Sequence, residues 1–292
     1  MFELKVPIRL YWDLPRAEEG MDPAAVCFDI LRLKILSLNI DAGSALSSCK
    51  NLLQCLGDTG LSVTIALDIL EAASRTEEIK TLKVKSVLVK VDSFEQLQVF
   101  RAWPHPLGIQ YEVTMSNWRE LPMVLAFCAG NGIRQLVLPM QRLLPDLSVS
   151  CFHLTHEEKI ELAASLGQIS SPTLNITIHD PFLWKIFFPS RPFPDGGCQA
   201  ANTMLYIAPG GEVFPCPTLP ISLGNLRNSS LYDIVFSEAK IHTRGRIMSS
   251  PGGCIGCGEL SSCKGGCRGR ALVLTESLDG ADPGCDCLPV FS

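Results

Sequence analysis

The feature that most constrains this chain is a run of four cysteines within fourteen residues. The stretch CIGCGELSSCKGGC at residues 254–267 has the spacing C-x2-C-x5-C-x3-C. Thiols at this density, separated by small glycines, are typical of a backbone folded tightly around a metal ion or cluster bound through thiolate sulfur. Eight of the thirteen cysteines, including the four of this run, lie in residues 198–292: Cys198, Cys216, Cys254, Cys257, Cys263, Cys267, Cys285 and Cys287. We therefore expect a metal site in the last third of the chain.

Bulk properties exclude several classes of protein. The chain has 292 residues, enough for a large core, and a net charge of -5 without long basic runs, which argues against a nucleic-acid partner. Charges and prolines interrupt its first residues, and no apolar stretch approaches the ~18 residues of a membrane span. We expect a cytoplasmic protein with no membrane association. In a reducing cytoplasm, clustered cysteines indicate metal ligands rather than disulfides.

The first part of the chain, residues 1–187, alternates short β-branched runs with amphipathic ones, which is the pattern of βα units on a parallel sheet. Strands are predicted at residues 8–13, 35–40, 61–68, 84–91, 108–114, 133–139 and 174–179. Helices are predicted at residues 23–34, 44–55, 94–102, 117–129 and 156–166. The predicted fold class is therefore α/β, with a partial (β/α)6 barrel.

Ligands of such sheets bind at the carboxyl ends of the strands. Polar residues are predicted there at six positions: Asp13, Asp41, Asp68, Asp92, His179 and Asp180. They are either part of a ligand site or simply solvated loop starts.

A second domain, residues 188–292, is predicted to begin after Phe187. The segment FPSRPFPDGG disfavours both helix and strand and acts as a linker. Beyond it, LYIAPGGEVFPC predicts a β-hairpin that ends at Cys216, residues 231–236 suit a short helix, and the rest is predicted to be loop. A tail with so little regular periodicity is better stabilised by bound metal than by a hydrophobic core.

The tail from Cys198 onwards resembles the SPASM domain, the twin-cluster module of radical S-adenosylmethionine (SAM) peptide-modifying enzymes. That family has a cysteine, then Gly-x4-Cys, then C-x2-C-x5-C-x3-C and a last cysteine. Here twelve residues separate Cys198 from Gly211, which is followed by Cys216, and Cys285 follows the four-cysteine run. The Gly-Gly-Cys-Arg sequence that ends at Arg268 also matches.

The resemblance implies two auxiliary 4Fe-4S clusters. By the family's ligand order, one is held by Cys254, Cys257, Cys263 and Cys285. The other takes three ligands from Cys198, Cys216 and Cys267. Its fourth place could be filled by Cys287 or left to a substrate thiol or a partner. The alternative is zinc, since the thiols of the four-cysteine run alone could form a tetrahedral site.

The barrel half resembles the radical SAM enzymes but lacks both of their cofactor-binding devices. Active members carry C-x3-C-x2-C after the first strand, where this chain has LPRAEEG at residues 14–20. Their Gly-Gly-Glu after the second strand is represented by NIDAG at residues 39–43. We expect no SAM-binding residues and no SAM cleavage. The other five cysteines are expected to be small buried apolar residues: Cys27, Cys49, Cys55, Cys128 and Cys151.

A cluster protein without the radical centre resembles the SPASM-domain companion of the GeoRSP peptide-maturation system. The resemblance implies three partners: a separate radical SAM/SPASM enzyme, a small precursor peptide and a PqqD-like peptide chaperone. The predicted function is to hold substrate or relay electrons for that enzyme, so whether the chain is itself an enzyme stays open. Two alternatives are an enzyme that uses an open cluster iron on a peptide thiol, and a zinc-stabilised peptide-binding module.

Overall fold

A ten-stranded sheet organises the chain in the computed structural model, which describes residues 3–15, 22–57, 59–100, 102–104, 106–143, 151–167, 173–194 and 196–287. Its strands are β1 (Arg9–Asp13), β2 (Ser37–Gly43), β3 (Ser62–Asp68), β4 (Ser86–Val91), β5 (Gly108–Tyr111), β6 (Gln135–Leu138), β7 (Asn175–Ile178), β8 (Met204–Ile207), β9 (Glu212–Phe214) and β10 (Gly224–Asn225). Strands β1 to β7 follow one another as parallel neighbours. All seven predicted strands are present, and the α/β fold class is confirmed.

The helices are α1 (Pro23–Arg32), α2 (Leu46–Leu56), α3 (Ile69–Ser74), α4 (Thr76–Ile79), α5 (Leu121–Gly130), α6 (His156–Leu166), α7 (Pro181–Phe187), α8 (Leu231–Val235), α9 (Glu238–Met248), α10 (Leu260–Cys263) and α11 (Arg268–Thr275). Short 3-10 helices occupy Glu95–Val99, Trp118–Glu120 and Gly252–Cys254. Local capping fixes several starts. Asp22 accepts a hydrogen bond from the amide of Ala24, and Pro23 suits the first turn of α1. No helix in the described ranges is long and apolar enough to cross a membrane.

The hairpin of the tail belongs to the same sheet as the barrel. Strand β8 pairs with β1 in parallel, β9 is antiparallel to β8, and β10 is antiparallel to β9. The strand order runs from β10 to β7 without closing, so the described sheet is an open barrel. Leu10, Trp12, Leu205 and Ile207 are completely buried where β1 and β8 meet. A domain boundary at residue 187 stays a prediction.

Two local predictions were wrong. The helix predicted at 94–102 is only the 3-10 turn Glu95–Val99, since the chain then turns inward to bury Trp103, whose Nε1 donates to the carbonyl of Leu107 at 2.7 Å. The tail is rich in loops, but the part outside the hairpin and the short helix is not all loop, because α9, α10 and α11 lie within it. The buried face of α9 includes Lys240, Thr243 and Arg244, so an apolar periodicity does not reveal it.

Candidate metal centre

Five cysteines of the tail line one cavity of about 220 Å³: Cys254, Cys257, Cys263, Cys285 and Cys287, here called the cavity group. Cys254 ends a 3-10 helix and Cys263 ends α10, so short helical turns present these two sulfurs. Phe182, Ile255 and Leu260 supply apolar parts of the wall. Burial raises the pKa of Cys254, and it raises the pKa of Cys285 to about 11. These thiols therefore lose a proton when they bind metal.

Two glycines let the backbone close around this cavity. Gly265 and Gly266 have φ of +87° and +66°, in the left-handed region that side chains disfavour. A Cβ on Gly265 would lie 2.5 Å from Cγ of Pro251, and one on Gly266 would lie 2.6 Å from Oδ2 of Asp282. The chain can pass from α10 to α11 along this path only with glycine at both positions.

The other three tail cysteines, Cys198, Cys216 and Cys267, form an inner group. Cys216 lies within electrostatic range of both Cys198 and Cys267. Cys267 caps α11, and its Sγ accepts a hydrogen bond from the amide of Arg270 at 3.4 Å. Burial raises the pKa of Cys216 to about 12 and the pKa of Cys267 well above its ordinary value.

Backbone amides point at the sulfurs of the inner group. The Cys198 sulfur accepts from the amides of Ala200 and Arg268. The Cys216 sulfur accepts from those of Thr218 and Leu219. Hydrogen bonds to sulfur are one of the means by which proteins stabilise a metal-bound thiolate and tune its metal. The inner group therefore has the surroundings of a ligand set rather than of inert buried thiols.

The structure divides the eight predicted ligands into these two groups. Cys267 lies with Cys198 and Cys216, as the family's ligand order implied. Cys287 lines the cavity and lies near Cys257 and Cys285. Cys287 therefore lies with the cavity group. The sequence had suggested it as one possible fourth ligand of the inner group.

Asp282 connects the two groups. Its Oδ2 accepts from the amide of Cys267 at 2.6 Å, and its Oδ1 accepts from the amide of Gly284, next to Cys285, at 2.9 Å. Arg270 holds this carboxylate, with Nε 2.6 Å from Oδ1 and Nη2 3.0 Å from Oδ2. One buried carboxylate therefore sets the positions of a cysteine from each group.

Arg270 also ties the tail to the barrel. Its Nη1 donates to Oδ2 of Asp180 and to the carbonyl of Phe152, the latter at 3.0 Å. Arg270 and Asp282 are each 1% exposed and Asp180 is 4% exposed. Since Asp180 also caps α7, by accepting from the amide of Leu183 at 3.0 Å, the cysteine-rich loops are fixed to the end of the sheet.

The buried side chain of Arg268 has more hydrogen-bond donors than acceptors in the described ranges. Its side chain is buried, and Nη2 donates to the carbonyl of Ser249 at 2.8 Å. Its Nε and Nη1 are buried with no hydrogen-bond partner among the described residues. Leaving such donors unsatisfied costs about 1–3 kcal/mol each. The guanidinium lies within electrostatic range of Cys198 and Cys254, one thiol of each group.

The donor set fits a sulfur-rich cluster. A cavity of about 220 Å³ is far larger than one metal ion, given that a water molecule takes up about 30 Å³ of the liquid. In the described ranges no three Cys, His, Asp or Glu side chains approach closely enough to hold a single ion as they stand. Cluster sulfur would also give the unpaired donors of Arg268 the acceptors that they lack.

The carboxyl ends of the barrel strands, here called the barrel mouth, carry a different kind of cluster. Asp13, at the end of β1, accepts two hydrogen bonds of 2.6 Å from Nε and Nη2 of Arg142. The hydroxyl of Tyr206 donates to the same carboxylate at 2.8 Å. This bidentate pair is stronger than a single contact and fixes both side chains.

A second ion pair continues the network across β2 to β4. Lys90 Nζ lies 3.0 Å from Oδ2 of Asp41 and 3.4 Å from Oδ1 of Asp68. Burial raises the pKa of Asp41, although Lys90 acts against that shift. Three of the six polar residues predicted at this edge therefore have basic partners: Asp13, Asp41 and Asp68. Their carboxylates are engaged in ion pairs, which neither of the two expected alternatives, a ligand site or solvated loop starts, describes.

The other three predicted residues have separate roles. Asp180 is turned towards Arg270, and Asp92 uses its carbonyl to accept from Nδ2 of Asn117 at 3.0 Å. The ring of His179 meets that of Tyr11 edge-on, with centroids 6.3 Å apart. Burial, with a smaller effect of Arg9 and Arg142, lowers the pKa of His179 to about 4.

The remaining five cysteines lie outside both groups. Cys27, Cys49, Cys128 and Cys151 are buried as expected, but Cys55 is exposed, so its prediction was wrong. Cys55 is the second-last residue of α2, and its sulfur lies close to that of Cys27. Of the LPRAEEG segment, residues 16–20 lie outside the described residues.

Comparisons with known proteins identify what the cysteine-rich segment is similar to. Residues 198–258 match the SPASM family, an iron-sulfur cluster-binding domain. The mycofactocin maturase MftC of Mycobacterium ulcerans is 33% identical over 91 residues, which are 30% of this chain and 25% of the relative. MftC of Mycolicibacterium smegmatis is 30% identical over the same length. The chain thus matches only about a quarter of the length of these curated relatives.

The fold similarity extends over the whole chain. Streptococcus suis SuiB bound to precursor peptide SuiA has a TM-score of 0.61 at 17% identity, covering 97% of this chain and 77% of that one. The structure of anSMEcpe with bound AdoMet has a TM-score of 0.59 at 13% identity, covering 96% and 94%. The chain therefore shares the fold of these structures, and its residues 198–258 match the SPASM domain. The family match ends at residue 258, before Cys263.

Proposed function

We propose that this protein binds two 4Fe-4S clusters in its SPASM domain and assists a separate radical SAM/SPASM enzyme in maturing a ribosomally made peptide in the cytoplasm. The cavity group holds one cluster and the inner group holds the other. The protein itself does not cleave SAM. Its role is to hold the substrate or to relay electrons.

One contrast carries this proposal. The tail keeps two groups of thiols with donors directed at sulfur, whereas the barrel mouth has Asp13, Arg142 and Tyr206 bonded to one another. In radical enzymes of this fold the mouth needs three thiolates to leave one iron open for SAM, and the sequence supplies none at residues 14–20. Thiolates suit clusters because soft sulfur matches iron.

Similarity to known proteins supports the proposed substrate. SuiB is a structural neighbour that was solved with a precursor peptide, and MftC is a maturase. A small precursor peptide is therefore the proposed substrate. A PqqD-like peptide chaperone and a separate radical enzyme complete the proposed system.

The first experiment measures iron and sulfide on anaerobically purified protein, with electron paramagnetic resonance (EPR) of the reduced state with and without SAM. We expect about eight irons per chain, four for each cluster, and no spectral change on adding SAM. Nearer twelve irons or a SAM-induced shift would overturn the companion role. Zinc in place of iron would overturn the clusters themselves.

The second experiment reconstitutes the complete system with and without this chain. We expect peptide modification to fall when the chain is omitted, because the radical enzyme then lacks its substrate holder or electron relay. Unchanged modification in its absence would contradict the proposal.

A second candidate function follows from the inner group, whose three cysteines leave one position of a four-iron cluster without a cysteine of that group. An open iron there could bind the thiol of a substrate peptide. Replacing Cys198 with Ala should then abolish turnover while the EPR signal of the cavity-group cluster persists. Retained turnover would count against this candidate.

A further inference from the structure

Arg268 is buried between the two thiol groups, and no carboxylate of the described residues lies closer than 4.0 Å to its guanidinium. It is the first residue of α11 and directly follows the ligand Cys267. Its side chain is 1% exposed, and Nη2 makes the contact with Ser249 described above. Its nearest carboxylate contact is Asp279, with Nη2 4.0 Å from Oδ1, and Asp279 itself is about half exposed.

The two unpaired donors of Arg268 lie close to both groups. Its own amide bonds the sulfur of Cys198, which keeps the base of the side chain next to the inner group. At the other end, Nη1 lies 3.9 Å from the position that a Cβ on Gly265 would take, and Gly265 lines the cavity. The guanidinium therefore spans the space between the two sites.

Arg244 also lies near Cys198 but is engaged differently. Its Nη1 donates to the carbonyls of Cys198 and Ala200, at 2.7 and 3.2 Å. These bonds shape the backbone around the inner group. Arg268 is instead the residue whose Nε and Nη1 are buried and unpartnered in the described ranges.

We propose that Arg268 donates hydrogen bonds from Nε and Nη1 to sulfur of the bound clusters, and that its charge raises the reduction potential of the inner-group cluster and, to a smaller extent, that of the cavity-group cluster. The inference rests on the proposed function. One-electron reduction adds a negative charge to a cluster, and a buried cation nearby stabilises that reduced state. Arg268 thus sets the potential at which the bound clusters transfer electrons.

The test compares Arg268→Gln, Arg268→Lys and the exposed control Arg246→Gln. Each variant is reconstituted anaerobically, assayed for iron and titrated with dithionite under EPR detection. For Arg268→Gln we expect the inner-group reduction equilibrium to shift about tenfold towards the oxidised form, which is 59 mV for one electron. Arg268→Lys keeps the charge and should shift less, and Arg246→Gln should match the wild type.

The outcomes separate this inference from the proposed function. Full iron content with unshifted potentials in both Arg268 variants overturns the inference alone. Wild-type protein without iron overturns the proposed function, and the inference with it. If Arg268 only supports the fold, both substitutions should lower iron content, but the reduction potentials of the variants should not follow the charge at position 268. That result overturns the inference.

If both Arg268 variants lose their clusters, the wild-type protein still tests the inference. Protein labelled with ¹⁵N only in the arginine guanidinium is reduced and examined by pulsed EPR. We expect a ¹⁵N coupling to a reduced cluster, and its absence overturns the proposed hydrogen bonds. Labelling the guanidinium alone excludes the backbone amides of Arg268 and Arg270. The same measurement on Arg244→Lys removes the other guanidinium near Cys198, and loss of the coupling in that variant would also overturn the proposed hydrogen bonds.

Discussion

The barrel mouth and the cysteine-rich tail are both polar sites at the same end of the sheet, but their polar groups are satisfied in opposite ways. In the mouth, the carboxylate of Asp13 is bonded to Arg142 and Tyr206, and Lys90 lies between Asp41 and Asp68. In the tail, two buried donors of Arg268 have no acceptor in the described ranges, and they lie near thiols of both groups. The difference indicates that the tail needs a bound group to satisfy its buried donors, whereas the carboxylates of Asp13, Asp41 and Asp68 already have basic partners among the described residues.

The comparison also shows what joins the two regions. Arg270 is bonded to Asp180 at the end of the barrel and to Asp282 between the thiol groups. It fixes their relative positions.

The largest effect should follow from breaking that connection with Arg270→Met. Two buried carboxylates then lose their cation, which costs about 3–5 kcal/mol. Because Asp282 positions the amides of Cys267 and Gly284, both clusters should assemble poorly. Denaturant unfolding and iron analysis measure these two losses.

Glu161→Gln provides the control for this substitution. It breaks the bidentate pair of Arg119 and Glu161, which has similar geometry but lies on the surface. It should change stability and iron content little. If Arg270→Met keeps full iron content and stability, the buried connection is not what holds the tail.

A smaller effect is expected from Gly266→Ala. The new Cβ would lie 2.6 Å from Oδ2 of Asp282, and φ of +66° is strained for alanine. We expect a loss of about 1–3 kcal/mol and reduced iron content. Gly258→Ala is the matched control, since nothing lies within 4 Å of its added Cβ. Equal behaviour of the two variants would contradict the required backbone path.

A third variant tests whether the barrel mouth is independent of the clusters. Asp13→Asn removes the charge that pairs with Arg142, but the amide can still form a hydrogen bond. Because Arg142 is partly exposed, we expect a loss of only about 1–2 kcal/mol and unchanged iron content. Loss of iron in this variant would show that the mouth supports the clusters.

Much of the fold could be predicted from the sequence because apolar periodicity reports burial. Strands such as β3 and β4 carry β-branched residues that pack in the core, and all seven barrel strands were found. The helix α9 was missed because its inward face contains Lys240 and Arg244, whose polarity indicates an exposed surface. Periodicity alone cannot identify a helix buried through its charged residues.

The site was only partly predictable. Cysteine spacing identified the candidate ligands, but which thiols lie together depends on the path of the chain, so spacing could not place Cys287 beside Cys257 and Cys285. Arg268 stood in a matching motif without a role, and Asp282, three residues before Cys285, was assigned none. Their burial between the two groups arises only in three dimensions, when α11 and the loop before Cys285 come together around Arg270.

The smallest effect is expected from His179, which is buried near Arg9 and Arg142 at the mouth. Burial, then Arg9 and Arg142, lowers its pKa to about 4 in the folded protein, whereas an unfolded histidine titrates near about 6.5. As pH falls through this window, the unfolded state takes up a proton that the folded state refuses, so stability is lost. The stability difference between wild type and His179→Gln should therefore shrink between pH ~7.5 and ~5.5. Anaerobic denaturant unfolding of both proteins at several pH values measures it, and a pH-independent difference would show that the His179 ring titrates alike in both states.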